Sequence, residues 1–202
     1  PELVEEETPT DEEEAAARVV AVVDAEVEQG LSEPERERLK GFCARPGVVL
    51  CRTFEELAQH VAPGRGRAHV LYWMGHGDGR GLRLGERYVT PTQLSDLLKR
   101  QDRGEGEGGF PGLVFFNTCQ SLTIAPPAKG MTAPLSFTDV VHARNLSGCI
   151  GTEALMVDVF ANKLGLDFLE AFLYADPPTE EADAGVGAVL RRVREVPLGL
   201  LY

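Results

Sequence analysis

Residues 111–121 read PGLVFFNTCQS, and the fold predicted for this chain follows from them. The short apolar run LVFF at 113–116 is typical of a strand buried on both faces of a parallel sheet. The run ends abruptly at Asn117, and small and polar residues continue to Ser121. Open α/β sheets place their ligands beyond the carboxyl ends of their strands. Cys119 is therefore predicted to lie at the functional edge of such a sheet.

An earlier stretch has the same design. Residues 69–74, HVLYWM, form a second apolar run, and it ends in GHGDG at residues 75–79. The two runs are separated by a predicted hairpin over 81–89 and a helix whose start is marked by Thr90-Pro91-Thr92-Gln93. Because this order is β-α-β, the strands are expected to be parallel, with right-handed crossovers. Their carboxyl ends then meet at one edge and bring His76 close to Cys119.

The rest of the chain is read in the same way. Helices are predicted over 12–29, from the capping box at Ser32, from Thr53, from Thr138 to Arg144, over 158–174 and over 179–194. Strands are predicted at 48–51 (the first buried strand), 147–151 and 198–202. The segment 122–136 has no periodicity, and an irregular loop of this length after a candidate nucleophile favours a functional role. The predicted fold class is α/β, with a mostly parallel sheet flanked by helices on both faces.

Composition limits the classes of protein to consider. A chain of 202 residues with 43% hydrophobic residues has enough for a real core and fits one domain, or one domain with a small helical attachment. The formal net charge is -12, but eight acids and no base lie in residues 1–14, so about -4 remains for the rest. We interpret residues 1–14 as a flexible acidic tail, with a pseudo-ligand for a basic site as the alternative. The absence of a basic stripe in the sequence argues against nucleic acid as a partner.

Cysteine usage and hydropathy indicate the compartment. Cys43, Cys51 and Cys149 lie in apolar contexts and are expected to be inert thiols, whereas Cys119 lies among small polar residues. The spacing of the cysteines predicts no structural zinc, and we expect neither a metal nor a cofactor. No apolar run suits a membrane span or a signal peptide, so we expect a cytoplasmic protein without membrane contact.

His76 and Cys119 together carry chemistry that neither residue suggests alone. Cysteine is the best nucleophile in the chain, and a nearby imidazole can move its proton. The amides of Gly77 and Cys119 are candidates for an oxyanion hole. Taken separately, His76 is open to interpretation as a turn residue and Cys119 as a small hydrophobe at a strand end. His60, His69 and His142 are interpreted as structural.

These motifs resemble the CHAT domain, a family of caspase-like cysteine peptidases related to caspases, metacaspases and separase. The resemblance rests on YWMGHG at 72–77, LRL at 82–84, VTP at 89–91, LVFFNTCQS at 113–121 and GCIGT at 148–152. Cys119 follows His76 by 43 residues, which is compatible with the caspase spacing of about 50. The resemblance covers residues 46–202 and leaves residues 15–45 as an amino-terminal helical segment.

The resemblance implies a function. His76 and Cys119 would be the base and the nucleophile of a cysteine endopeptidase, with Gly77 in the oxyanion hole. It also implies a regulated bacterial effector domain that cleaves a protein partner and is controlled by a sensor or regulatory domain.

The specificity site is predicted from the same likeness. In separase-like members, an acidic residue at the position of Asp158 receives a basic P1 side chain, and Asp78 and Glu153 are further candidates for this S1 site. A helix cap is the open alternative for Asp158. Ala154 stands where many members have Trp, and the loop 122–136 is longer than usual, so it is a candidate lid or autoinhibitory plug.

Two other functions are considered. One is an inactive caspase-like module used for protein-protein binding, which the departures at Ala154 and 122–136 favour and the intact His76–Cys119 pair opposes. The other is a redox or acyltransferase thiol enzyme, for which the sequence offers no Cys-x-x-Cys pair and no cofactor motif.

Overall fold

The centre of the protein is a five-stranded parallel sheet, in which the strands lie in the order 48–51, 19–23, 70–74, 113–117 and 148–150. The computed structural model describes residues 19–61, 68–78, 80–101, 112–121, 136–143, 146, 148–152, 158–174 and 188–190. The strands in this part of the chain are β1 (Val19–Val23), β2 (Val48–Cys51), β3 (Val70–Met74), β4 (Leu82–Leu84), β5 (Arg87–Val89), β6 (Leu113–Asn117) and β7 (Gly148–Ile150). The helices are α1 (Ala25–Gly30), α2 (Glu33–Cys43), α3 (Phe54–His60), α4 (Pro91–Gln101), α5 (Phe137–Ala143) and α6 (Asp158–Leu173).

Both faces of the sheet are covered, as the sequence predicts. Alternate residues of each strand point to opposite faces. One hydrophobic cluster joins the sheet to α3, α4 and α5, and the other joins it to α2 and α6. The five side chains of β1 are fully buried. The predicted α/β class with a parallel sheet between two helical layers is therefore confirmed.

The prediction of a helix over residues 12–29 is wrong for residues 19–23 and right for residues 25–29, which lie in α1. Val19–Val23 form β1, which lies between β2 and β3 and pairs in parallel with both. The valines at 19, 20 and 23 fit a helical face, but a run of β-branched residues buried on both sides has no period of two and fits a central strand equally well. Consequently residues 19–45 do not form a separate helical segment, because β1 belongs to the same sheet as the strands of the 46–202 region. Residues 1–18, with the acidic tail predicted over 1–14, lie outside the described part.

Local capping signals give the helix starts correctly in three cases. Ser32 with Glu35 and Thr53 with Glu56 form capping boxes at α2 and α3. Thr90 and Gln93 do the same at α4, where the Thr90 amide donates to Gln93 Oε1 over 2.9 Å. At α5 the predicted cap, Thr138, is wrong. The cap is Ser136, whose amide and hydroxyl both donate to the Asp139 carboxylate.

The remaining predictions have mixed outcomes. The strand at 48–51 exists, but it is a half-buried edge strand and not a buried one. The hairpin over 81–89, the strand β7 and the helix α6 are confirmed. Residues 122–135, almost all of the helix predicted over 179–194 and the strand predicted over 198–202 lie outside the described residues.

Candidate active site

The sheet register brings the two candidate catalytic residues to matching positions. β3 and β6 are adjacent and parallel, and Met74, the last residue of β3, pairs with Asn117, the last of β6. His76 and Cys119 each follow their strand by two residues, and both are half-buried. The expectation that these strands are neighbours ending at one edge is confirmed.

The turns that carry the two residues are in direct contact at Gly77. A Cβ atom added to Gly77 would lie 2.8 Å from the backbone oxygen of Cys119 and 3.1 Å from Thr118 Oγ1. The Thr118 hydroxyl is buried at this contact and has no hydrogen-bond partner in the described part of the chain. Glycine at 77 is therefore what allows the histidine turn to lie against the cysteine turn.

The β4–β5 hairpin holds the histidine turn from the other side. Gly77 pairs with Leu82 in an isolated antiparallel bridge. The flanking hydrogen bonds run from Arg83 N to His76 O over 2.8 Å and from Asp78 N to Gly81 O over 3.4 Å. Since these two bonds lie on either side of the Gly77–Leu82 pair, the N–H and C=O of Gly77 point away from the hairpin. This orientation suits an amide that donates to a substrate oxygen.

The turn that carries Cys119, residues 118–121, has a strained backbone and is held by hydrogen bonds. Gln120 has a φ of 52°, in the left-handed region that costs a residue with a side chain about 1 kcal/mol. Ser121 Oγ donates to Phe116 O over 3.4 Å and accepts from Thr152 N over 3.1 Å, and Thr152 Oγ1 donates to Thr118 O over 2.7 Å. The segment after β7 thus fixes the backbone on both sides of Cys119.

The other three thiols are partly or fully buried. Cys51 is fully buried, and Cys43 and Cys149 pack against the two hydrophobic clusters. Burial raises the pKa of Cys43 to about 11 and that of Cys149 to about 12. Because the thiolate is the reactive form, both thiols are expected to react slowly near neutral pH. The four cysteines form no disulfide.

The predicted specificity residues are only partly described. Asp78 lies in the histidine turn and is exposed, and its Oδ1 accepts from the amides of Arg80 (3.0 Å) and Gly81 (3.2 Å). Asp158 is the first residue of α6. The side chain of Asp158 and the whole of Glu153 and Ala154 lie outside the described residues.

Asp24 also lies at this edge and is not among the predicted site residues. It follows β1 directly, it is fully buried, and its amide donates to Met74 O over 2.9 Å. Its position between a run of valines and a helix could have indicated a strand end. Because the valines were assigned to a helix, Asp24 was not recognised as a residue at the edge of the sheet. In the described ranges no group of His, Cys, Asp and Glu is arranged to hold a metal ion, and no helix there is both long enough and apolar enough to cross a membrane.

Comparisons with known proteins do not assign this chain to a family. The chain matches no protein-family model, and a search of curated proteins gives no match either. The likeness to CHAT domains therefore rests on the residues of this chain that carry it.

Proposed function

We propose that this protein is a cysteine endopeptidase in which Cys119 is the nucleophile and His76 is the base. The observation that carries the proposal is the register of β3 and β6, with the Gly77 turn packed on the carbonyl of Cys119. Acyl transfer by a thiol needs a base near the nucleophile, and placement at neighbouring strand ends supports that arrangement.

The reaction would run through an acyl-enzyme. His76 takes the thiol proton, and the thiolate of Cys119 attacks the carbonyl carbon of the peptide bond. The oxyanion accepts hydrogen bonds from the amides of Gly77 and Cys119, each of the kind worth about 3 kcal/mol of transition-state stabilisation. The imidazolium then protonates the amide nitrogen, the C–N bond breaks and the amine leaves. Water, deprotonated by His76, attacks the thioester carbonyl, releases the acid and restores the thiol.

The family likeness extends the proposal to the substrate and its setting. The substrate would be a protein cut after Arg or Lys, with Asp158, Asp78 or Glu153 receiving the basic side chain. The setting would be the bacterial cytoplasm, where a sensor or regulatory domain switches the effector on. The proposed chemistry uses side chains and backbone amides of this chain together with water.

The test uses the 202-residue chain with fluorogenic peptides that differ only at P1 (Arg, Lys, Asp or Leu), and with peptidyl electrophiles of the same sequences. Cys119→Ala should abolish cleavage and labelling. His76→Ala should lower kcat/KM about 10²- to 10⁴-fold, the usual value of a positioned proton-transfer group. The matched controls are Cys43→Ala and His142→Ala, which remove the same residue types away from the site and should keep activity.

The inactive binding module predicts a different result. In that case, Cys119 would be labelled no faster than Cys149, with or without His76. Labelling that is slow in the wild type and unaffected by His76→Ala would therefore contradict the peptidase proposal.

A further inference from the structure

The buried carboxylate of Asp24 joins two parts of the protein that are far apart in sequence. Its Oδ1 accepts from the amides of Glu26 (3.0 Å) and Val27 (3.4 Å) and so caps α1. Its Oδ2 accepts from the amide of Gly85, 61 residues away, over 2.8 Å. A buried carboxylate is unfavourable unless several donors replace its water, and these three amides do so. The two oxygens thus have separate tasks, one in α1 and one in the hairpin.

The hairpin connects this carboxylate to the histidine turn. Gly85, with a φ of 62°, lies in the tight turn between β4 and β5. Two residues before it, Arg83 donates its amide to His76 O over 2.8 Å and accepts at its carbonyl from Trp73 Nε1 over 3.4 Å. The short hairpin is therefore fastened to Asp24 near its tip and to His76 along its first strand.

The two attachments meet at Gly75. A Cβ atom on Gly75 would lie 3.1 Å from Arg83 O and 3.4 Å from Asp24 Cβ. Gly75 is the residue directly before His76, and its amide donates to Asn117 O over 3.5 Å. A shift of the hairpin away from Asp24 would therefore change the backbone that carries the imidazole.

We infer that Asp24 is a positioning residue, which keeps His76 in register with Cys119 by holding the β4–β5 hairpin. The inference rests on the proposed function, because it assigns Asp24 a role only if His76 acts on Cys119. The competing interpretation is that Asp24 is only the cap of α1. Serine or asparagine would serve that purpose equally well, whereas both tasks together require two acceptor oxygens.

The substitution Asp24→Asn should remove the hydrogen bond to Gly85 and keep the cap of α1. Asparagine keeps one carbonyl oxygen, so it can still cap α1. Its NH₂ group then faces the Gly85 amide, and two donors meet where an acceptor is needed. The matched control is Glu26→Gln, which removes a negative charge at the same junction and breaks the exposed Glu26–Arg83 ion pair of 2.5 Å. Exposed pairs of this kind contribute little.

The readout is the rate at which iodoacetamide alkylates Cys119 as a function of pH, followed by peptide mass spectrometry. His76→Ala defines the rate without an imidazole, and Cys43 in the same sample is the internal reference. With Asp24→Asn, the rate at pH 7 should fall on the order of tenfold to a hundredfold, because small misplacements of reacting groups have effects of that size. The whole pH profile should move toward that of His76→Ala, whereas Glu26→Gln should stay within about twofold of the wild type.

The possible results separate the two proposals. If His76→Ala alkylates like the wild type, the peptidase proposal fails irrespective of Asp24. If His76→Ala is slow but Asp24→Asn behaves like Glu26→Gln, the positioning role is overturned and the peptidase proposal stands.

If Asp24→Asn does not fold, amide hydrogen exchange measured on the wild-type protein tests the inference instead. The Gly85 amide should then be protected relative to the amide of the exposed residue Glu86 beside it. Equal exchange of the two amides would overturn the inference.

Discussion

At the scale of the residue, Gly77 is the point at which the turn that carries His76 contacts the turn that carries Cys119. Gly77→Ala would place a methyl group 2.8 Å from the Cys119 carbonyl oxygen and 3.3 Å from Leu82 Cδ2. The first neighbour is backbone and cannot rotate aside, so the two turns must separate. We expect a loss of about 1–3 kcal/mol in the free energy of unfolding, as for other overpacked sites, together with loss of peptide cleavage. Urea unfolding and the fluorogenic assay measure the two effects.

The control for this substitution is Gly30→Ala at the end of α1, where nothing lies within 4 Å of the added Cβ. It should change stability by less than about 0.5 kcal/mol, as surface substitutions usually do. A Gly77→Ala variant as stable and as active as this control would disprove the contact between the turns.

At the scale of the element, α6 approaches the sheet most closely at Gly165. Below it, Asn117 Nδ2 donates to the hydroxyl of Tyr72 over 2.9 Å, and burial raises the pKa of Tyr72. An added Cβ at Gly165 would collide with the Tyr72 hydroxyl and lie 2.6 Å from Asn117 Nδ2. Gly165→Ala should therefore lower the free energy of unfolding by about 1–3 kcal/mol, although alanine favours helices. Urea unfolding measures the change.

Gly41→Ala in α2 is the matched helix control. No atom lies within 4 Å of its added Cβ, so only the helix propensity changes. This variant should be more stable by about 0.5–1 kcal/mol. If Gly165→Ala also gains stability, α6 does not pack on Tyr72 and Asn117 as described. Because Asn117 is two residues from Cys119, a displaced α6 should also lower the rate of Cys119 alkylation.

At the scale of the whole molecule, β1 makes the amino-terminal region part of the same folding unit as the candidate site. A chain of residues 46–202 would lack β1, and β2 and β3 would each lose a paired neighbour. We expect this chain to show no cooperative unfolding transition in circular dichroism, since its core would be open along the middle of the sheet. A chain of residues 15–202, which keeps β1, should unfold cooperatively. Cooperative unfolding of 46–202 would contradict the central place of β1.

Local sequence alone determined the two strands of the site and the caps of α2, α3 and α4. Leu113–Asn117 and Val70–Met74 are continuous apolar runs that stop at polar turns, and each cap is made within four residues. These signals involve residues that are close together in the chain, so they can be recognised in the sequence itself. They were enough to predict that His76 and Cys119 directly follow adjacent parallel strands.

Only the tertiary structure shows the features that depend on contacts between residues far apart in the chain. The valines of β1 satisfy a helical and a buried-strand pattern equally, and only pairing with β2 and β3 selects the strand. The link from Asp24 to Gly85 spans 61 residues, and the two hydrogen bonds of Thr152 to the cysteine turn span 31 and 34 residues. Such contacts leave no periodicity in the sequence, because each depends on how the chain crosses the sheet and returns to the same edge.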